Sequence, residues 1–146
     1  MFILNNGAIS WKLRKQHLVA VSTTEAEYIA CSEASREARW LRKLQRDIDG
    51  IPATDDPDGT EATSQLQLPP TQIYTDSQGA LAHITTGISK ARTKHFDVCY
   101  HNSHDLHQRK VVKYDYANTA DNPANILTKA LARDKHEKLV RAVGVW

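Results

Sequence analysis

The longest regular pattern in the sequence begins at Ser22, and it constrains the fold more than any other stretch. Ser22 and Glu25 have the spacing of a capping box, in which a hydroxyl and a carboxylate satisfy the first backbone donors of a helix. Small and apolar residues then recur every three or four positions, so we predict a long amphipathic helix that ends near Asp47. Its predicted buried stripe comprises Ala26, Ile29, Ala30, Ala34, Ala38, Leu41, Leu44 and Ile48.

Short apolar runs on both sides of this helix predict β-strands. Met1–Leu4 and Ala8–Lys12 flank the turn Asn5-Asn6-Gly7 and predict a hairpin. Further strands are predicted over 19–21, 72–75 and 111–116, and further helices over 77–84, from 92, over 124–130 and over 134–143. This order predicts an α/β fold in which helices flank a mixed β-sheet.

The segment from Asp49 to Pro70 interrupts this order. It is rich in Gly, Pro, Asp, Ser and Thr, and it shows no sustained period. Residues 51–72 carry four acids and no Lys or Arg. We therefore predict one domain over residues 1–146 that carries a flexible acidic insertion at about 49–70.

The composition restricts the class of protein. A chain of 146 residues with 40% hydrophobic residues can build one core, in which we expect Trp11 and Trp40. Cys31 and Cys99 lie in helical patterns without metal-type spacing, which favours buried free thiols in a reducing compartment. The sequence shows neither a signal peptide nor a membrane span, so we expect an intracellular protein of the cytoplasm or the nucleus.

Two acids lie where chemistry is common in α/β proteins. Asp76 follows a predicted strand directly, where it either caps the next helix or belongs to a site at the sheet edge. Glu27 lies in the first turn of the long helix, as a solvated acid or as a second site residue. If both converge with the helix start after Asp121, their hard oxygen atoms would suit Mg²⁺, with Mn²⁺ as an alternative. Two such ions about 3.5–4 Å apart suit attack on a phosphodiester.

Five blocks of the sequence carry a resemblance to a known family. They read ISWKLRKQ, STTEAEYIACSEASREARWL, IYTDSQGALA, RTKHFDVCYH and ADNPANILTKAL, and they cover nearly the whole chain apart from the predicted insertion. In this order they resemble the ribonuclease H domain at the C-terminal end of copia-type retrotransposon Pol polyproteins. The resemblance implies a ribonuclease H-like fold and Mg²⁺-dependent hydrolysis of the RNA strand of an RNA–DNA hybrid.

The resemblance also assigns site positions. Glu27 and Asp76 match two of the family's four catalytic and metal-binding carboxylates, and Asn125 takes the position of a third as an amide. The family's first aspartate lies on a strand that would precede Met1. The resemblance therefore implies a domain that lacks its first strand and has an incomplete carboxylate set, unless an upstream reverse transcriptase segment supplies both.

Several basic residues are candidates for contact with nucleic acid. Lys12, Arg14 and Lys15 precede the long helix, and Arg92 and Lys94 lie in the RTKH block. Each either binds phosphates or is a solvated surface charge. His95 resembles a family position near the hybrid, although a histidine at a helix start also commonly bonds the backbone.

Three functions therefore stay open. The first is a ribonuclease H domain whose incomplete carboxylates give weak or no activity. The second is a non-catalytic nucleic-acid-binding module, whose affinity would depend steeply on salt concentration. The third is an inert relic of a decayed element.

Overall fold

A computed structural model describes residues 1–16, 20, 22–51, 68–87 and 94–144, and for 94–100 it describes the backbone alone. The chain divides into two compact units, one formed by Met1–Val19 with Ala117–Trp146 and the other by Ala20–Tyr116. Both units mix helices with strands, which confirms the predicted α/β class. Val19 and Val21 of the strand predicted over 19–21, and most of the predicted insertion, lie outside the described residues, and Ala20 has no regular secondary structure.

The first unit is built on a hairpin. Strands β1 (Phe2–Leu4) and β2 (Gly7–Ser10) pair antiparallel, with Leu4 opposite Gly7. Asn5 and Asn6 between them have φ angles of 49° and 63°, as a two-residue type I′ turn requires. The predicted hairpin is confirmed, although β2 ends at Ser10 and not at Lys12.

Two helices complete the first unit. Helix α4 (Asn125–Thr128) is a single turn and is shorter than predicted, whereas α5 (Arg133–Ala142) matches its prediction closely. The Ala8 N–H donates to the Val143 carbonyl at 3.0 Å, and Val143 is buried. This bond ties the hairpin to the end of α5.

The second unit contains the long helix. Helix α1 (Thr23–Ile48) begins at the predicted N-cap Ser22. A parallel strand pair and two helices follow: β3 (Thr71–Thr75), α2 (Gln78–Thr86), α3 (Lys94–Gln108) and β4 (Val112–Tyr116). Ile73 of β3 lies opposite Tyr114 of β4. A parallel pair needs a crossover connection, which α2 and α3 provide.

The predicted buried stripe of α1 is largely wrong. Ile29 and Ala38 are buried, but Ala30 is exposed, and Leu44 and Ile48 are 40% and 71% exposed. The face that packs on the rest of the unit carries small polar residues and ends at a buried arginine; it comprises Tyr28, Cys31, Ser32, Ser35, Ala38 and Arg42. Trp40 lies on the opposite side of the helix and is 55% exposed, so its predicted core position is wrong.

Hydroxyl groups explain how this polar face is buried. The Ser35 hydroxyl donates its one proton to the Cys31 carbonyl at 2.8 Å. Ser35 Oγ can therefore only accept in its bond with Tyr114, and the Tyr114 hydroxyl is the donor. Ser103 of α3 also bonds the Tyr114 side chain. Burial raises the pKa of Tyr114 to about 12. The network satisfies polar atoms of α1, α3 and β4 at one point in the core.

Candidate active site

The starts of two helices meet beside the end of β3. A Cβ at Gly79 would lie 2.9 Å from Thr24 Cγ2, so glycine lets the first turns of α1 and α2 approach this closely. Each helix is capped by its own serine. Ser22 Oγ accepts from the Glu25 N–H at 3.1 Å, and Ser77 Oγ accepts from the Ala80 N–H at 3.2 Å.

Because Ser77 caps α2, Asp76 is not the N-cap of that helix. Asp76 directly follows the last residue of β3 and is half-buried. The alternative that Asp76 caps α2 is wrong, because Ser77 is the N-cap. Glu27 lies one position before the buried Tyr28 on α1, and it is exposed. Both predicted acids therefore lie near helix starts without serving as the cap.

Both acids act electrostatically on the buried thiol of Cys31. Cys31 is 5% exposed, and its side chain is hydrogen-bonded to Thr75 at the end of β3. Burial raises the pKa of the thiol to about 11, and the negative charges of Glu27 and Asp76 both add to the rise. Carboxylates on α1 and directly after β3 thus both influence one buried side chain.

The two carboxylates could supply part of the ligand shell of a cation. Carboxylate oxygens are ligands that Mg²⁺ prefers, and the ion commonly binds one or two carboxylates and completes its shell with water. The positive ends of two helix dipoles also favour negative charge here. Within the described ranges, however, no group of three or more His, Cys, Asp or Glu side chains is placed to hold a metal ion. Glu27 and Asp76 are therefore the residues that would hold one Mg²⁺ ion.

Asn125 belongs to the first unit. It is the first residue of α4 and is buried, and its Nδ2 donates to the Thr119 carbonyl. A carboxylate cannot donate this bond. An aspartate at this position would therefore place an oxygen against the Thr119 carbonyl oxygen.

The predicted nucleic-acid contacts fall into two groups. Lys12, Arg14 and Lys15 are exposed in the segment after β2. Arg92 lies outside the described residues, and Lys94 and His95 are described only as backbone of α3. Among the described helices, none has both the length and the apolar character that a membrane crossing needs.

Sequence reasoning missed two members of the site, Cys31 and Thr75. Both carry a local signal, because Cys31 lies one helical turn after Glu27 and Thr75 directly precedes Asp76. The hydrogen bond between their side chains depends on how α1 packs on β3, which no local pattern shows.

The raised pKa of Cys31 makes stability depend on alkaline pH. The unfolded thiol, with a pKa of 9.0, ionises at lower pH than the folded one, whose pKa is about 11. The buried neutral thiol therefore contributes fully to the free energy of unfolding below pH 9, and this contribution is lost as pH rises towards 11. The shift corresponds to about 3 kcal/mol of unfolding free energy. We expect urea unfolding at pH 7 and pH 10.5 to show a smaller alkaline loss in Cys31→Ala than in the parent chain. Cys99→Ser is the control, and an equal loss in all three proteins would contradict the expectation.

Comparison with known proteins gives the chain its relatives. It is 34% identical over 145 residues to the retrovirus-related Pol polyprotein from transposon TNT 1-94 of Nicotiana tabacum, over 99% of this chain and 10% of the relative. Pol polyproteins from transposons RE2 and RE1 of Arabidopsis thaliana are 32% and 30% identical over 142 residues, 97% of this chain and 9% of each relative.

The chain spans about a tenth of the length of these relatives. No protein-family model and no solved structure matches it. Nearly its whole length is homologous to one segment of the retrovirus-related Pol polyproteins of plant transposons.

Proposed function

We propose that this chain is the ribonuclease H segment of a copia-type Pol polyprotein. It binds RNA–DNA hybrids, and its incomplete carboxylate set supports at most weak Mg²⁺-dependent hydrolysis of the RNA strand by the chain alone. The homology to Pol polyproteins supports the origin of the segment. A ribonuclease H-like fold, and an upstream reverse transcriptase segment of the same polyprotein as a partner, belong to the same proposal.

One observation carries the choice of activity. Glu27 and Asp76, which the resemblance assigns to catalysis, both act on the Cys31 thiol although they lie on different elements. A Mg²⁺ ion on these carboxylates would activate water and stabilise charge on a phosphate. The protein's own part is to hold the carboxylates at two helix starts, with Gly79 permitting the close approach of α2 to Thr24.

Cleavage of a labelled RNA–DNA hybrid in Mg²⁺ tests this proposal. We expect slow cleavage that falls to background in Asp76→Asn and Glu27→Gln, because each loses a carboxylate of the site. Asp115→Asn is the matched control: this aspartate lies in β4, where it accepts from Gln72 and Lys113, and its loss should leave cleavage unchanged. Cleavage that survives Asp76→Asn would contradict the assigned site.

The described geometry also favours a second candidate, a non-catalytic nucleic-acid-binding module. The Asn125 amide is engaged as a donor to Thr119, and within the described residues there is no group of three metal-binding side chains. Hybrid binding without cleavage, with affinity that falls steeply as salt rises, would support this candidate. A folded chain that does not bind hybrids would contradict both functions, and the inert relic of a decayed element would be the remaining hypothesis.

A further inference from the structure

The segment that follows the hairpin exposes an aromatic side chain among cations. Trp11 and Leu13 are each 63% exposed, so the predicted core position of Trp11 is wrong. Lys12, Arg14 and Lys15 are exposed in the same run. The segment continues from β2 without regular secondary structure, so its side chains stand on an irregular backbone and not on a packed helix face.

Charge separates this tryptophan from the other exposed one. Residues 1–24 contain no Asp or Glu, and the three cations beside Trp11 are their only Lys or Arg residues. Trp40 is similarly exposed, at 55%, but the helix around it carries both signs of charge, with Glu37 three positions before it and Arg36 and Lys43 one turn away on either side. The segment around Trp11 therefore carries cations without an acid, which suits a polyanion.

An exposed indole among cations is suited to unpaired bases. Base stacking on aromatic side chains is tolerant of sequence, and neighbouring Lys and Arg residues neutralise the phosphates of the same strand. Paired bases inside a duplex do not offer their faces to such a side chain. We infer that residues Trp11–Lys15 bind single-stranded nucleic acid, with Trp11 stacking on a base and the three cations contacting phosphates.

This inference goes beyond the proposed function, with which it shares the nucleic-acid partner but not the Glu27–Asp76 site. The sequence already predicted that the three cations of this segment contact phosphates. The inference adds Trp11, whose side chain would distinguish nucleic-acid bases from bare phosphate. A strand of RNA or DNA that extends from a hybrid would offer such unpaired bases. The binding is therefore measured separately from hybrid cleavage.

Fluorescence of the full chain tests the inference. In a Trp40→Phe, Trp146→Phe background, titration with oligo(dT) at low salt should quench the emission of Trp11. By anisotropy of a labelled oligo(dT), Trp11→Ala should weaken binding by about tenfold, while Trp11→Phe should retain most of the affinity. Trp40→Ala, made in the parent chain, is the matched control and should bind as the parent does.

Three outcomes would overturn the inference. The first is unchanged affinity in Trp11→Ala, and the second is equally tight binding of base-free polyphosphate, which would leave a purely electrostatic surface. The third is a blue shift of Trp11 on phosphatidylserine vesicles without binding of oligo(dT), which would indicate a membrane surface. Trp11→Ala and Asp76→Asn are compared in both assays, so that unchanged strand binding in Trp11→Ala, with hybrid cleavage lost in Asp76→Asn, would remove this inference and leave the proposed function standing.

Discussion

Replacing Gly144 with alanine should destabilise the unit formed by the hairpin and α5 by about 3 kcal/mol or more. Gly144 has a φ of +70°, in the left-handed region that side chains rarely adopt. A Cβ at this position would overlap the Asn6 carbonyl oxygen in the hairpin turn. Because Asn6 is itself held at a positive φ by the tight turn, the backbone has little freedom to move away.

Gly50→Ala separates the two causes of this loss. Gly50 has a similar φ of +67°, but a Cβ there would meet nothing within 4 Å. Alanine at Gly50 should therefore cost about 1 kcal/mol, the backbone strain alone. Urea unfolding followed by circular dichroism gives both values, and hydrogen exchange of the Ala8 amide, which bonds Val143, reports on the hairpin contact. Equal losses in the two variants would show that the Asn6 contact contributes nothing.

The parts of the fold that were predicted correctly depend on local chemistry. The two asparagines of the hairpin turn tolerate positive φ, and Ser22 caps α1 with its own side chain. Each of these signals involves residues within a few positions of one another, so the sequence displays it directly.

The buried face of α1 was not predictable by the same reasoning. Hydrophobic periodicity selects apolar residues, whereas this helix buries Ser32 and Ser35 and exposes Leu44 and Ile48. The serines are accommodated because Ser35 bonds Tyr114, which lies on a strand far along the chain. A pattern within the helix carries no information about that partner.

The candidate site divides in the same way. Position alone marked Asp76 at a strand end and Glu27 at a helix start. The close approach of Thr24 and Gly79, which brings the starts of their two helices together, is a tertiary contact that the sequence does not display. The roles of both acids in catalysis stay predictions until the hybrid assay is made.

Arg42 was also missed, and its loss should have the second large effect on stability. It is 8% exposed at the end of the buried face of α1. Its Nη2 donates to the Leu68 carbonyl at 3.0 Å, its Nη1 donates to the Pro69 carbonyl, and Nη1 lies 3.5 Å from Thr71 Oγ1. The guanidinium thus fixes to α1 the residues that lead into β3.

Arg42→Met should lower the free energy of unfolding by about 3 kcal/mol. Methionine keeps an apolar stem of similar length but leaves two carbonyls without their donors, and hydrogen bonds to a charged group contribute about 1.5–3 kcal/mol each. Arg36→Met is the matched control on the same helix. Arg36 is 63% exposed and lies 4.0 Å from Glu33, so its loss should cost less than about 0.5 kcal/mol.

Hydrogen exchange can locate the Arg42 effect. The Thr71 N–H donates to the Val111 carbonyl at 3.0 Å, at the start of the β3–β4 pair. If Arg42 holds the entry of β3, this amide should lose protection in Arg42→Met and keep it in Arg36→Met. Because β3 ends beside Asp76, hybrid cleavage should weaken in the same variant even under conditions where the chain stays folded. Equal urea midpoints for the two methionine variants would mean that water replaces the guanidinium at both carbonyls, and unchanged cleavage would mean that the position of Asp76 does not depend on Arg42.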